Sequence, residues 1–171
     1  MLDLKKYIRN IPDFPKKGIN YKDITPLLMN SKASEYTLDT LAEPLKNKSI
    51  DKVIGIESRG FLFGMLLAQK LDVGFVMIRK PGKLPAKTAS QTYELEYGSD
   101  TIEIHQDAIK PGENVIIHDD LLATGGTAKA AYQLVEHLGG KIVEINFIIA
   151  LNFLEGKKQL NKYPVRSLLE Y

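Results

Sequence analysis

Three short runs of consecutive apolar residues, Val53-Ile54-Gly55-Ile56, Phe75-Val76-Met77-Ile78 and Val115-Ile116-Ile117, and a longer, mainly apolar stretch from Ile142 to Leu151 constrain this chain most. A strand with one wet face alternates apolar and polar residues. A strand that is apolar at successive positions must be buried on both faces, which requires a mainly parallel sheet with helices on either side. Helical patterns do separate the runs. Phe61 to Ala68 suits a buried helix, and Ala131, Leu134, Val135 and Leu138 recur at helical spacing until Gly139-Gly140 stops them. The predicted fold is therefore α/β and doubly wound. Upstream, Leu38, Leu41, Ala42 and Leu45 mark another helix, with Pro44 near its end, and Leu4, Tyr7, Ile8 and Ile11 predict a short opening helix that Pro12 closes. From Pro12 to Gly18, two prolines and a glycine around Phe14 predict an extended arm pinned by that aromatic.

Lys80 to Ala108 breaks the rhythm, with a Pro/Gly/Lys loop and two candidate strands, Ser90–Leu95 and Thr101–His105, around Gly98. Long polar connections in compact domains commonly serve as lids, so residues 80–108 are expected to form a flexible antiparallel flap over a site. Its charge is segregated. Residues 79–87 hold four cations, Arg79, Lys80, Lys83 and Lys87, and no acid; residues 88–109 hold five acids and no Lys or Arg. The 171 residues fit a single domain, 1–171, and the net charge of +2 argues against a nucleic-acid binder. Zero Cys excludes disulfides, zinc fingers and thiol catalysis. With no signal-type apolar segment and no run approaching the roughly 20 residues of a membrane span, no membrane partner is expected and a cytoplasmic protein is.

The chemistry concentrates between Val115 and Thr127. A buried strand delivers Asp119-Asp120, and after Leu121 and Leu122 the turn Ala123-Thr124-Gly125-Gly126-Thr127 opens a helix. Ligands of open α/β sheets bind beyond the carboxyl ends of the strands. Glycines let backbone N–H groups crowd round an anion, and the helix N-terminus adds about half a positive charge. The turn fits a phosphate monoester. The carboxylates only accept hydrogen bonds, so they suit a ribose diol, or a Mg²⁺ ion bound nearby. There is no Walker A Gly-Lys-Ser/Thr and no G-x-G-x-x-G fingerprint.

This segment closely resembles the phosphoribosyl pyrophosphate-binding motif of the type I phosphoribosyltransferases. Four further stretches narrow the resemblance to the adenine-specific branch of that family: Pro12-Asp13-Phe14-Pro15 with Gly18, Asp23-Ile24-Thr25-Pro26-Leu27, Glu57-Ser58-Arg59-Gly60-Phe61, and Ile78-Arg79-Lys80 through Lys83-Leu84-Pro85 to Leu95-Glu96-Tyr97-Gly98. They run in the family's order over nearly the whole chain.

The resemblance implies transfer of a phosphoribosyl group from phosphoribosyl pyrophosphate to adenine, giving AMP and pyrophosphate, with Mg²⁺ held mainly by the substrate and no protein metal site. It places the 5′-phosphate on Ala123, Thr124, Gly125, Gly126 and Thr127 and the ribose hydroxyls on Asp119 and Asp120. Pyrophosphate falls to Ser58, Arg59, Arg79, Lys80 and Lys83, the Ser58-Arg59 loop carrying a cis non-proline peptide in the family. Taken alone, an arginine such as Arg59 is more often a surface or ion-paired residue, and it is the resemblance that reverses this reading. Glu96, beside Tyr97 in the flap, is implied as the acid/base group facing the purine. Adenine is implied between Tyr21 and Leu121, with its edges read by backbone around Asn20 and Lys22, so residues 1–30 form a hood arm over the base. A homodimer is implied as well, although no apolar stripe in the sequence marks its interface. His118 departs from the family and reads as a packed, neutral, hydrogen-bonded histidine. Two alternatives stay open: a 6-oxopurine as the base, or a non-catalytic regulator that senses phosphoribosyl pyrophosphate.

Overall fold

In the computed structural model, which describes residues 2–94 and 98–171, a single 3-10 turn at Leu4–Tyr7 leads at once into an antiparallel hairpin of β1 (Arg9–Pro12) and β2 (Asn20–Asp23). The opening helix expected as far as Ile11 is not formed. Leu4 and Ile8 do face the core, but one turn buries both. From Arg9 onward the backbone pairs with β2, and the Arg9 side chain donates two bonds to Asp23 at 2.9 and 2.6 Å. Phe14 is not a core anchor either: it is half-exposed in the connecting loop and meets Tyr21 edge-on at 5.2 Å. Asp23 also accepts from the N–H and hydroxyl of Thr25, tying the hairpin to the short helix α1 (Thr25–Leu28). Asn30 then caps α2 (Ser31–Ala42) by accepting the Ala33 N–H at 3.0 Å, and at Pro44 the chain tightens into a 3-10 turn.

The remaining elements build the expected layers. They are β3 (Lys52–Ile56), α3 (Gly60–Lys70), β4 (Gly74–Ile78), β5 (Thr88–Glu94), β6 (Ser99–His105), β7 (Asn114–Leu122), α4 (Gly126–His137), β8 (Lys141–Ala150) and β9 (Val165–Glu170). Five of the strands form a parallel sheet in the order β4-β3-β7-β8-β9. Val115 and Ile117 face α4 and the β5–β6 pair, while Ile116 between them faces α2 and α3; all three are fully buried. Burial from both sides is why β7 reads as a continuous apolar run, whereas in the edge strand β4 the expected two-sided burial is not met, since Met77 is exposed. The edge strand β9 has no such run, because Arg166 and Ser167 interrupt it, and it was not anticipated.

One element differs from expectation in a way that bears on function. Helix α3 is apolar all round but only partly covered: Leu62, Met65 and Leu66 are 45, 51 and 41% exposed. The flap is a hairpin as expected, registered from Thr88 opposite His105 to Glu94 opposite Ser99, and Ala89, Ile102 and Ile104 anchor it in the core. Among the described residues, no helix is long and apolar enough to cross a membrane.

Candidate active site

Strands β3 and β7 lie side by side, and both point their carboxyl ends at one cavity of about 470 Å³. Its walls are Ile56, Glu57, Ser58 and Arg59 after β3, Asp119, Asp120 and Leu121 in β7, Thr127 on α4, Lys80 after β4, and Tyr93, Asp100 and Ile102 from the flap hairpin. A smaller cavity of about 80 Å³ adjoins it, sharing Asp119, Leu121 and Thr127 and otherwise enclosed by Leu122 to Ala128 with Phe147. The position matches the rule that open α/β sheets bind ligands beyond their strand ends.

The smaller cavity is the Thr-Gly-Gly-Thr turn. Gly125 stands just before α4 at φ 88°, a left-handed conformation that lets the chain curl so that the first N–H groups of the helix, which have no partners within it, face the cavity. A side chain at Gly125 would also meet the Gly156 carbonyl at 2.6 Å. Gly156 fits still more tightly, since a Cβ there would lie 2.1 Å from the Ala123 carbonyl oxygen. The segment Gly156–Leu160 thus backs the turn, a role for which the sequence offers no local signal.

The acidic pair sits in the last four residues of β7, and Gly60 makes room for it: a Cβ on Gly60 would be 2.9 Å from Asp119 Oδ1. Asp119 Oδ1 accepts the Asp120 N–H at 2.8 Å. Burial, joined by the neighbouring Asp120 charge, raises the Asp119 carboxyl well above the usual carboxylate range. Burial also raises Asp120, against the pull of Arg59. Arg59 Nε lies 2.7 Å from Asp120 Oδ2, but its N–H is not aimed at that oxygen, which has no hydrogen-bond donor. The Arg59 guanidinium also lies over the Tyr21 ring, 5.2 Å from its centre. The pair therefore presents buried acceptors in need of donors, as a diol would supply.

The cations divide into two groups. Arg79 is committed to Glu57, donating to its two oxygens at 2.9 and 3.3 Å, and Glu57 also accepts the Lys80 N–H at 2.8 Å. These bonds, the Arg79 one foremost, hold the Glu57 carboxyl below its usual range. Neither Arg79 nor the exposed Lys83 lines the cavity, whereas Ser58, Arg59 and Lys80 do. Lys80 is paired with Asp100; burial opposes its charge, but Asp100 and Tyr93 outweigh burial and raise its pKa. Tyr93 ties this pair to the phosphate turn. The Thr127 hydroxyl donates to Tyr93 Oη at 3.0 Å, and Tyr93 donates to Asp100 at 3.2 Å. Glu57, Tyr93 and Asp100 were not singled out from sequence; Glu57 stood within a quoted motif and the other two within the flap, but their partners are distant in the chain.

On the base side, Tyr21 reaches Arg59 and Leu121 lines the cavity, but Asn20 and Lys22 do not. Asn20 is exposed at the start of β2. Lys22 is only 8% exposed and turns away, donating to Asn10 at 2.5 Å and lying over the Tyr171 ring at 4.2 Å. Glu96 and Tyr97 lie outside the described residues. His118 is fully buried, with Nδ1 2.7 Å from Asn146 Oδ1, and burial lowers its pKa to about 4, as expected of a packed neutral histidine. The Glu57–Ser58 peptide is cis. Among the described residues, no group of three acidic or histidine side chains is placed to hold a metal ion.

Comparison with known proteins places this geometry among relatives. The phosphoribosyl transferase domain family matches residues 21–170. The adenine phosphoribosyltransferase of Flavobacterium johnsoniae is 57% identical over 170 residues, covering 99% of this chain and all of that protein. The crystal structure of adenine phosphoribosyltransferase from Thermoanaerobacter pseudethanolicus superposes with a TM-score of 0.96 at 54% identity, over 98% of both chains. The Saccharomyces cerevisiae adenine phosphoribosyltransferase, solved with an imino-altritol bisphosphate and adenine, gives a TM-score of 0.92 at 47% identity over 96% of each chain.

Proposed function

The chain belongs to the phosphoribosyl transferase domain family and, within it, to the adenine phosphoribosyltransferases, and on that premise we propose how its own residues divide the work of the reaction. The enzyme is a glycosyltransferase of purine salvage: N9 of adenine displaces pyrophosphate from the anomeric carbon of phosphoribosyl pyrophosphate, giving AMP. One observation carries the assignment of groups. The small cavity walled by the Thr-Gly-Gly-Thr turn shares Asp119, Leu121 and Thr127 with the large one, so a turn suited to a phosphate, an acidic pair suited to a diol and a cation-lined space follow the order of the substrate's own 5′-phosphate, ribose and diphosphate.

The turn from Ala123 to Thr127 holds the 5′-phosphate through backbone N–H groups and the two threonine hydroxyls. Asp119 and Asp120 accept the ribose hydroxyls. Ser58, Arg59 and Lys80 face the diphosphate, stabilising the charge that develops as its bond to C1 breaks. Arg79 acts at second hand, because with Glu57 it fixes the backbone from which Lys80 extends. Lys83, outside its own subunit's cavity, reaches the diphosphate only across a homodimer interface. The exposed apolar residues Leu62, Met65, Leu66 and Met77 support such an interface. Adenine lies between Tyr21 and Leu121, with the backbone of Asn20 and Lys22 reading its edge and Glu96 exchanging the purine proton. The donor set fits Mg²⁺ carried on the substrate: Asp120 Oδ2 is a hard oxygen with no hydrogen-bond donor, beside Asp119. When bound, the ion neutralises diphosphate charge. Phosphorylated substrate and product do not cross membranes, which supports a cytoplasmic setting.

The test is product analysis after incubation with Mg²⁺, phosphoribosyl pyrophosphate and adenine, hypoxanthine or guanine in separate tubes. AMP and pyrophosphate from adenine are expected. Products from hypoxanthine or guanine without AMP would make the base a 6-oxopurine, and no turnover with any base would favour a sensor.

A further inference from the structure

Lys22 carries its charge into the interior, at 8% exposure, on the face of β2 opposite Tyr21. Among the described residues it forms no ion pair, and its neighbour Asp23 is taken by Arg9 and Thr25. Its ammonium is met instead by Asn10 Oδ1 at 2.5 Å and by the face of the Tyr171 ring, whose centre is 4.2 Å away. A buried cation without partners is costly, and an aromatic face is worth most to a cation that has lost its water. Lys5 lies over the same ring at 5.2 Å.

Tyr171 is itself fixed to the central sheet. Its N–H donates to the Ala150 carbonyl at the end of β8 at 3.0 Å, its carbonyl accepts the Asn152 N–H at 2.8 Å, and it packs against the core on the α2 and α3 side. Asn10 is the cross-strand partner of Lys22, so one ammonium grips both strands of the hairpin and joins them to the end of β9. Successive side chains of a strand point to opposite faces. Drawing Lys22 onto Tyr171 therefore turns Tyr21 toward the cavity. Resting on the assignment of adenine to Tyr21 and to the backbone of Asn20 and Lys22, we infer that Tyr171 is a positioning residue for the base: from outside the cavity, and through Lys22, it holds the hood hairpin at the distance from Leu121 that a purine ring fills. The phosphate turn and the Ser58–Arg59 loop follow β7 and β3, so they do not depend on this clamp.

The test compares Tyr171→Leu, which removes the ring face, with Tyr171→Phe, which keeps it, in steady-state kinetics of the whole protein with Mg²⁺. Tyr171→Leu is expected to raise KM for adenine about tenfold, with KM for phosphoribosyl pyrophosphate and kcat held within about twofold, whereas Tyr171→Phe should match the wild type. Hydrogen exchange gives a readout independent of turnover: amides of β1 and β2 should exchange faster in Tyr171→Leu, but not in Tyr171→Phe, while those of β7 stay unchanged. Lys22→Met keeps the backbone and the apolar stem but loses the charge, so it should reproduce the adenine-selective rise and add little to it in the double variant. It also decides the matter if Tyr171→Leu folds poorly. The inference is overturned if either substitution leaves KM for adenine unchanged, if both KM values rise together, or if Tyr171→Phe is as impaired as Tyr171→Leu. A wild type that makes no AMP from adenine would instead defeat the assignment of the base, and this inference with it.

Discussion

Gly156→Ala isolates the support of the phosphate turn from the turn itself. The added methyl would lie 2.1 Å from the Ala123 carbonyl oxygen, with Leu122 Cδ1 at 3.0 Å behind it. Real Cβ contacts are essentially never under 3.0 Å, so the two backbones must part by about 0.9 Å. Neither side yields cheaply, because the obstructing atom is backbone at the end of the buried strand β7. Overpacking of this kind costs about 1–3 kcal/mol. For a chain of this length that corresponds to a fall in Tm of about 2–12 °C. The same displacement moves Ala123 in the phosphate cradle, and misplacement by about 1 Å can cost on the order of 100-fold in rate. Steady-state kinetics should show KM for phosphoribosyl pyrophosphate rising far more than KM for adenine, and calorimetry should show weakened ribose 5-phosphate binding. A variant with normal ribose 5-phosphate affinity and normal Tm would refute the reasoning, because it would mean that the turn tolerates loss of its backing.

Other expectations follow from the flap, the buried histidine and the uncovered helix face. Glu96→Gln should lower kcat by about 10²–10⁴ with little change in phosphoribosyl pyrophosphate binding, measured by single-turnover kinetics; unchanged turnover removes Glu96 from the mechanism. His118 is buried with its pKa lowered to about 4 from 6.5, so below pH 6.5 the unfolded chain takes up the proton that the folded one refuses. Its contribution is full above pH 6.5 and declines by about 3 kcal/mol as pH falls to about 4. Urea unfolding across that window should therefore be steeper in pH for the wild type than for His118→Gln, and equal slopes would contradict the assignment of a neutral buried imidazole. Sedimentation should give twice the 19.2 kDa chain mass for the wild type and the monomer mass for Leu66→Arg; a wild-type monomer would remove the α3 face as an interface.

What could be read from the residues, and what could not, divides by distance along the chain. The parallel strands were legible because two-sided burial writes itself into consecutive residues, as at Val115, Ile116 and Ile117. The phosphate turn was legible because its parts, strand, acids, glycines and helix start, are contiguous. The first element misled because Leu4 and Ile8 satisfy helical spacing yet need only one 3-10 turn to reach the core. Strand β9 escaped notice because Arg166 spends its charge on Glu144 and on the Thr40 and Leu41 carbonyls, which a strand reading of Val165–Glu170 cannot foresee. The supporting contacts of the site are long-range: Glu57 holds Arg79 from 22 residues away, and Thr127 meets Tyr93 from 34. No local pattern encodes such pairs. The commitment of Arg79 to Glu57 instead of the cavity belongs to the same class, since the sequence shows four cations in a loop but not which carboxylate each will find.

A crystal structure of the complex with AMP tests the central assignment most directly. The account predicts the phosphate within about 2.7–3.2 Å of backbone N–H groups between Thr124 and Thr127, both ribose hydroxyls on Asp119 and Asp120, and the base between Tyr21 and Leu121. A phosphate bound instead among Arg59, Ser58 and Lys80, with the Thr-Gly-Gly-Thr turn empty, would contradict it.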